Sequence, residues 1–295
     1  MILAKHLKKV LILSLSLAAL SACSQQMPMT YLPPAQLQPM QQMQARQMGA
    51  NPMLFQRFNV PQQPAGLGFA SAQAPDGYYQ GAEGMQGQGL LQSLNQIVAR
   101  HVDLGYDHGR DVMFGVVDDL QDNNVVVCAY TDRHEQNIDN RGDAYSHGLN
   151  TEHTWPKSKG AGGGPAKADL HHLFPTDIDT NSKRSSFPFG EVVQVEYQNG
   201  GSKLGRNAQG QTVFEPRDDH KGDVARALFY FYTVYGRQAS TANFRIEEPV
   251  LHQWHAQDPV DQTEQLRNAR IFQYQKNRNP YIDRPEFVRL VGRFH

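Results

Sequence analysis

The sequence predicts an α+β domain in which short antiparallel strands pack among helices. Stretches of apolar residues at helical spacing alternate with short β-branched or apolar runs bounded by turn residues, and glycine and proline mark the loops between them. In chain order, "LLQSLNQIVAR" from Leu90 has helical spacing and "DVMFGVVDDL" from Asp111 is read as helical. "NNVVVCAYT" is a β-branched strand, and "TEHTWP" and "DLHHLFP" read as two short strands, each ended by proline. Between those two lies "KSKGAGGGPAKA", which only a loop accommodates. "FGEVVQVEY" is a further strand with a "QNGG" turn behind it. "DHKGDVARALFYFYTVYG" starts acidic and ends on glycine, as one long, largely buried helix does, and "VDQTEQLRNARIFQYQKN" repeats the style with charges outward.

The first 89 residues differ. "MILAKHLKK" is basic, "VLILSLSLAAL" is apolar but short for a bilayer span, and "LSACS" follows. The last resembles the bacterial lipoprotein box, so residues 1–22 are expected to be an export signal and Cys23 the lipidated anchor, with Ser24 suiting sorting to the outer membrane. Residues 23–89, rich in Gln, Met, Pro and Gly, bury too little apolar surface to offset ordering and read as a disordered tether, leaving 90–295 as the folded domain. The only other cysteine, Cys128, then has no partner within the chain and is expected to be a buried strand thiol.

The chemistry concentrates in about thirty residues. Glu152 and His153 are adjacent, two further imidazoles stand at His171 and His172, and "DTNSKRSS" brings Asn181, Lys183 and Arg184 together. Phosphodiester hydrolysis needs a base for water, a hard cation on the phosphate and positive donors. An aimed, neutral imidazole suits the first, a carboxylate with an amide oxygen suits Mg²⁺, and a guanidinium suits the third by a forked contact. If the imidazole is unperturbed, activity falls below about pH 6.5. Neighbouring strand residues point to opposite faces, so Glu152 and His153 share a site only at a strand end or bulge. On one strand His171 and His172 point apart, one into the core and one near the surface, and no zinc-binding spacing appears.

Three long motifs, "NTEHTWPKS", "ADLHHLFPTDIDTNSKRSSFPFGEV" and "LHQWHAQDPVDQTEQLRNARIFQYQKNRNPYID", occur in an order that resembles the bacterial endonuclease I family of ββα-metal nucleases, over roughly residues 90 to 288. The resemblance implies a ββα-metal core with Glu152 and Asn181 as metal ligands, His153 as general base and Arg184 on phosphate. It also implies that the Lys167 carbonyl orients the base and that Asp169 and His171 form a supporting shell, while Asn277, Arg278 and Asn279 are family features read as structural. The implied cofactor is Mg²⁺, with Mn²⁺ or Ca²⁺ as substitutes. The implied substrate is DNA, with RNA also open to cleavage, and the products carry 5′-phosphate and 3′-hydroxyl ends. Some relatives hold the product phosphate with an arginine in a longer loop, where this chain offers only Lys157 and Lys159. The rival reading is a non-catalytic, lipid-anchored envelope module that keeps the fold.

Twenty-eight basic against 29 acidic residues give a formal charge of −1, so nucleic-acid affinity does not follow from the overall balance. From Gln265 to His295 seven Lys or Arg face only Asp283 and Glu286, a local excess that suits either a phosphate backbone or a solvated helix face. No base-reading element is recognisable, so cleavage with little sequence preference is expected. No protein partner is expected, and the chain is read as a monomer.

Overall fold

A computed structural model describes residues 72–237 and 239–295. The expected signal at 1–22, Cys23 and the tether as far as residue 71 lie outside the described residues. Folded packing begins before the expected boundary at 90. Tyr79 and Ala82 are buried, the Tyr79 hydroxyl donates to Asp283 at 2.6 Å, and the Ala72 carbonyl accepts from Arg278. Two tyrosines in a polar stretch supply the apolar area that composition alone concealed.

Helix α1, Gly87–Val98, buries Leu90, Leu91, Leu94 and Val98 on one face, as its spacing predicts. Helix α2 covers Tyr106–Val112 and runs into a wider π turn at Met113–Val117, so the expected helix from Asp111 is the tail of one that starts earlier. Strands β1, Val125–Val127, and β2, His134–Gln136, pair antiparallel. Cys128 lies just past β1 as a buried free thiol whose sulfur accepts from the Asp177 N–H. Helix α3, Arg141–Ser146, is capped by the Asn140 side chain, which accepts from the N–H groups of Gly142 and Asp143.

Strand β3, Leu149–His153, pairs antiparallel with β4, Leu173–Asp177, with Glu152 opposite Phe174 and His153 opposite Leu173. Helix α4, Ile178–Arg184, follows β4 directly, started by the Asp177 carboxylate on the Thr180 N–H at 2.9 Å. Two expectations are corrected here. The Leu170–His172 stretch is a 3-10 turn ahead of the strand, and both His171 and His172 are buried. Pro175 lies inside β4 rather than ending it, because β4 belongs to a two-stranded sheet and the missing N–H interrupts no second ladder.

A three-stranded antiparallel sheet follows, with β5 at Gln194–Asn199, β6 at Ser202–Arg206 and β7 at Thr212–Glu215. Here β5 starts five residues later than "FGEVVQVEY" suggests. Helix α5, Lys221–Tyr235, is buried along nearly its whole length and packs against α6, Ala242–Gln257. Pro249 within α6 hides that helix from a sequence reading. Helix α7, Gln262–Gln275, begins where Asp261 accepts from the Glu264 N–H at 2.8 Å. Replacing Asp261 by alanine is expected to cost about 1 kcal/mol and lower the Tm by about 2–4 °C in a thermal melt. Helices α8, Pro280–Asp283, and α9, Glu286–Val291, close the chain.

Four of the seven basic residues of the C-terminal stretch are held by protein partners, while Lys276, Arg289 and Arg293 are exposed. Arg267 is buried against Asp118, Arg270 holds the carbonyls of Val116 and Asp119, and Arg278 forks onto Asp283. Arg284 pairs with Glu83 and Glu286. Asn277 donates to the Val98 carbonyl and the Tyr230 hydroxyl, and Asn279 caps α8, so the "NRNP" residues are structural.

Candidate active site

Strand β3 ends at His153, and Trp155 fixes the departing chain. Its indole stacks on Phe231 of α5 at 4.6 Å and on Phe244 of α6 at 5.6 Å, and donates to the Lys159 carbonyl at 3.1 Å. The ladder therefore stops where two neighbouring side chains need to share one space. Glu152, His153 and Asn181 line the same cleft of about 420 Å³, between the end of β3 and helix α4.

Glu152 is 3 % exposed. Its Oε1 accepts from the Tyr130 hydroxyl at 2.9 Å and faces Arg184 Nε at 3.2 Å, while Oε2 has no donor among the described residues. Asn181 donates through Nδ2 to Asn150 Oδ1 at 2.8 Å, and its own Oδ1 likewise has no donor among the described residues. Two hard oxygens, one anionic, thus line one cleft with nothing among the described residues to satisfy them, a donor set that fits a divalent cation otherwise coordinated by water. Among the described residues no group of three His, Cys, Asp or Glu forms a metal cluster.

His153 Nε2 lies 3.1 Å from the Lys167 carbonyl. A carbonyl only accepts, so Nε2 carries the proton and Nδ1 keeps its lone pair. The ring sits beside Tyr106 and His172, each centred 5.6 Å away. Burial, with the neighbouring His172, lowers the imidazole from its ordinary value, so it is neutral near pH 7. The same burial displaces the acid limit of activity below the value of about pH 6.5 expected for an unperturbed imidazole.

Arg184 is turned inward at the cleft wall. It is 1 % exposed, with Nη2 donating to the Thr154 carbonyl at 2.7 Å, Nη1 to the Ser185 carbonyl at 3.1 Å, and Nε facing Glu152. These contacts clamp the β3 end and hold the guanidinium against Glu152.

Asp169 is wholly buried and accepts from Tyr230 and Tyr235 at 2.8 Å each, from Gln275 at 2.9 Å and from the His171 N–H at 3.1 Å. Burial alone would raise it, but the opposing attraction of His101 and His171 leaves it at about 2. His171 faces the Asn277 carbonyl at 3.3 Å. Both brace the turn that carries β4. Tyr130 and Asn150 were not anticipated. Asn150 had a signal, since it stands two residues before Glu152 and strand side chains at that spacing share a face. Tyr130 had none, since only tertiary folding brings it to Glu152.

Buried imidazoles also set an acid limit on folding. His171 and His255 are held at about 4, and His172 is lowered, each chiefly by burial. Between pH 6.5 and 4 the unfolded chain takes up protons that these groups refuse when folded, so stability falls with pH. Glu247, raised to about 7 by burial, and Glu264 and Asp258, also raised chiefly by burial, oppose this in part. The Tm is expected to drop from pH 7 to pH 5, by on the order of 1–2 kcal/mol of stability per unit. A rising Tm over that interval would contradict the assignment.

A hairpin ending at an adjacent acid and imidazole, followed at once by a helix bringing an amide oxygen to the same cleft, is the frame of the ββα-metal nucleases. The chain belongs to the endonuclease I family, whose model matches residues 90–286, more than half of the sequence. It is therefore a nuclease, a hydrolase of phosphodiester bonds. An extracellular ribonuclease of Bacillus subtilis (strain 168) is 35 % identical over 246 residues, covering 75 % of this chain and 82 % of that protein. An extracellular ribonuclease of Bacillus amyloliquefaciens is 34 % identical over 231 residues, 72 % of this chain and 76 % of that protein. An extracellular deoxyribonuclease of Aeromonas hydrophila is 30 % identical over 118 residues, 40 % of this chain and 50 % of that protein.

Proposed function

We propose that the protein is an exported, Mg²⁺-dependent endonuclease of little sequence preference that cuts DNA and RNA, leaving 5′-phosphate and 3′-hydroxyl ends. The observation that carries this is the His153 tautomer: with Nε2 committed to the Lys167 carbonyl, the basic Nδ1 belongs to a ring lining the cleft that the two unsatisfied oxygens share. His153 Nδ1 takes a proton from water, which attacks phosphorus in line. Glu152 and Asn181 would hold the cation, for which Mn²⁺ or Ca²⁺ would substitute. When bound, that ion polarises the phosphate and neutralises charge at the leaving 3′ oxygen. Arg184 keeps the Glu152 carboxylate turned for that task. Relatives named as ribonucleases and as deoxyribonucleases support both substrates, and their extracellular naming supports export. A lipid anchor at Cys23 in the outer membrane remains part of this reading on the strength of "LSACS".

The test is end-group analysis after digestion of plasmid DNA and of a structureless RNA by the full chain. Cleavage of both, with 5′-phosphate ends, is expected. Cleavage of RNA alone with 2′,3′-cyclic phosphate ends would mean that the 2′-hydroxyl attacks and that no water is activated. Intact nucleic acid in both digests would favour the non-catalytic envelope module.

A further inference from the structure

We propose that Lys157 and the Ser185–Ser186 turn form the seat for a substrate phosphate neighbouring the scissile one, an inference that rests on the nuclease reading above. Arg184, the other cation in the cleft wall, is almost wholly buried and donates to the Thr154 and Ser185 carbonyls, so the exposed charge that meets an incoming polyanion lies elsewhere. Lys157 lines the cleft, is exposed, and its ammonium has no acceptor among the described residues. Its base is firm: the Lys157–Lys159 turn is held by Trp155 Nε1 and the Ser240 N–H, both donating to the Lys159 carbonyl.

The seat's second component is the turn that ends α4. Ser185 adopts φ 53° and ψ −122°, a region that disfavours any side chain, and glycine would be the ordinary choice there. The conformation is held from several directions. The Ser185 N–H donates to the Asn181 carbonyl at 3.0 Å, Arg184 donates to the Ser185 carbonyl at 3.1 Å, and Asn243 donates to the Ser186 carbonyl at 3.0 Å. Backbone held out of its preferred wells by its surroundings clusters where ligands are gripped. Both serine hydroxyls and the Ser186 N–H line or adjoin the cleft without a partner among the described residues. One ammonium, two hydroxyls and one N–H, with Glu152 as the single carboxylate in the lining, recognise a phosphodiester and read no base.

The experiment is binding of a short fluorescent DNA duplex by the full chain in EDTA, followed by anisotropy across a series of salt concentrations. Withdrawing one cation from the phosphate backbone lowers the slope of log affinity against log salt by about 0.9. Lys157→Gln is expected to lower the slope by about that amount and to weaken binding about 3- to 10-fold at moderate salt. Lys159→Gln, a charge two residues away outside the cleft lining, is expected to leave both unchanged. Ser185→Gly keeps the turn, since glycine adopts its φ freely, and is expected to weaken binding about 2- to 3-fold with the slope intact. A wild-type slope in Lys157→Gln, an equal drop in both lysine variants, or unaltered binding by Ser185→Gly would overturn the seat. Binding in EDTA needs no turnover, so failure of the wild type to cut would fall on the proposed function and leave this measurement readable.

Discussion

His153→Ala is expected to lower cleavage of a DNA or RNA substrate by about 10²- to 10⁴-fold while leaving the fold and nucleic-acid binding in place. The imidazole is the one group in the cleft that combines a neutral state, a fixed tautomer and a free lone pair, so no neighbour inherits its task. His172 is the nearest other imidazole, but it is fully buried and its Nε2 lies 2.6 Å from the Ala166 carbonyl. The loss should appear in kcat with KM nearly unchanged, since the imidazole acts on water and not on substrate binding. The variant leaves the Lys167 carbonyl without its donor, which costs about 1–3 kcal/mol of stability and should be checked by a melt beside the assay. Wild-type turnover by this variant would move the base elsewhere.

Glu152→Gln is expected to remove activity by at least about 10³-fold, the scale on which a bound cation stabilises charge at phosphorus. Its second signature is thermal. Glutamine preserves an acceptor for Tyr130 but withdraws the counter-charge from Arg184, a guanidinium that is almost wholly buried. Breaking a buried pair from one side costs about 3–5 kcal/mol, because the remaining charge has nowhere to go. For a domain of this size a loss of about 3 kcal/mol lowers the Tm by roughly 6–12 °C in EDTA. In the wild type, added Mg²⁺ should raise the Tm by mass action, and in Glu152→Gln that rise should vanish. An unchanged Tm in EDTA would show that Arg184 is satisfied by the carbonyls of Thr154 and Ser185 without the carboxylate.

Much of the frame was legible because its signals are local. The apolar face of α1 and the buried length of α5 follow from spacing within one element. The strand end after Glu152-His153 was legible for a different reason, since two adjacent side chains serving one site require it. What escaped depends on tertiary context. Arg184 and the arginines of α7 look in sequence like surface donors for phosphate, and only the folded chain brings Thr154, Asp118 and Val116 to meet them. His171 and His172 look in sequence like alternating strand positions, whereas a 3-10 turn carries both inward. Tyr79 sits in a stretch whose composition reads as tether, yet its ring packs on Phe287 and its hydroxyl donates to Asp283, with Tyr78 packed beside it on Phe272. Pairings between residues distant in sequence leave no periodic trace.

The central claim is that Glu152, His153 and Asn181 act as one cation-dependent site, and cleavage of a labelled oligonucleotide by the full chain under chelation tests it most directly. Cutting should stop in EDTA, return when Mg²⁺ is supplied in excess, and not return in Glu152→Gln or Asn181→Ala at the same Mg²⁺ concentration. Undiminished cutting in EDTA, or full recovery by either variant, would contradict it.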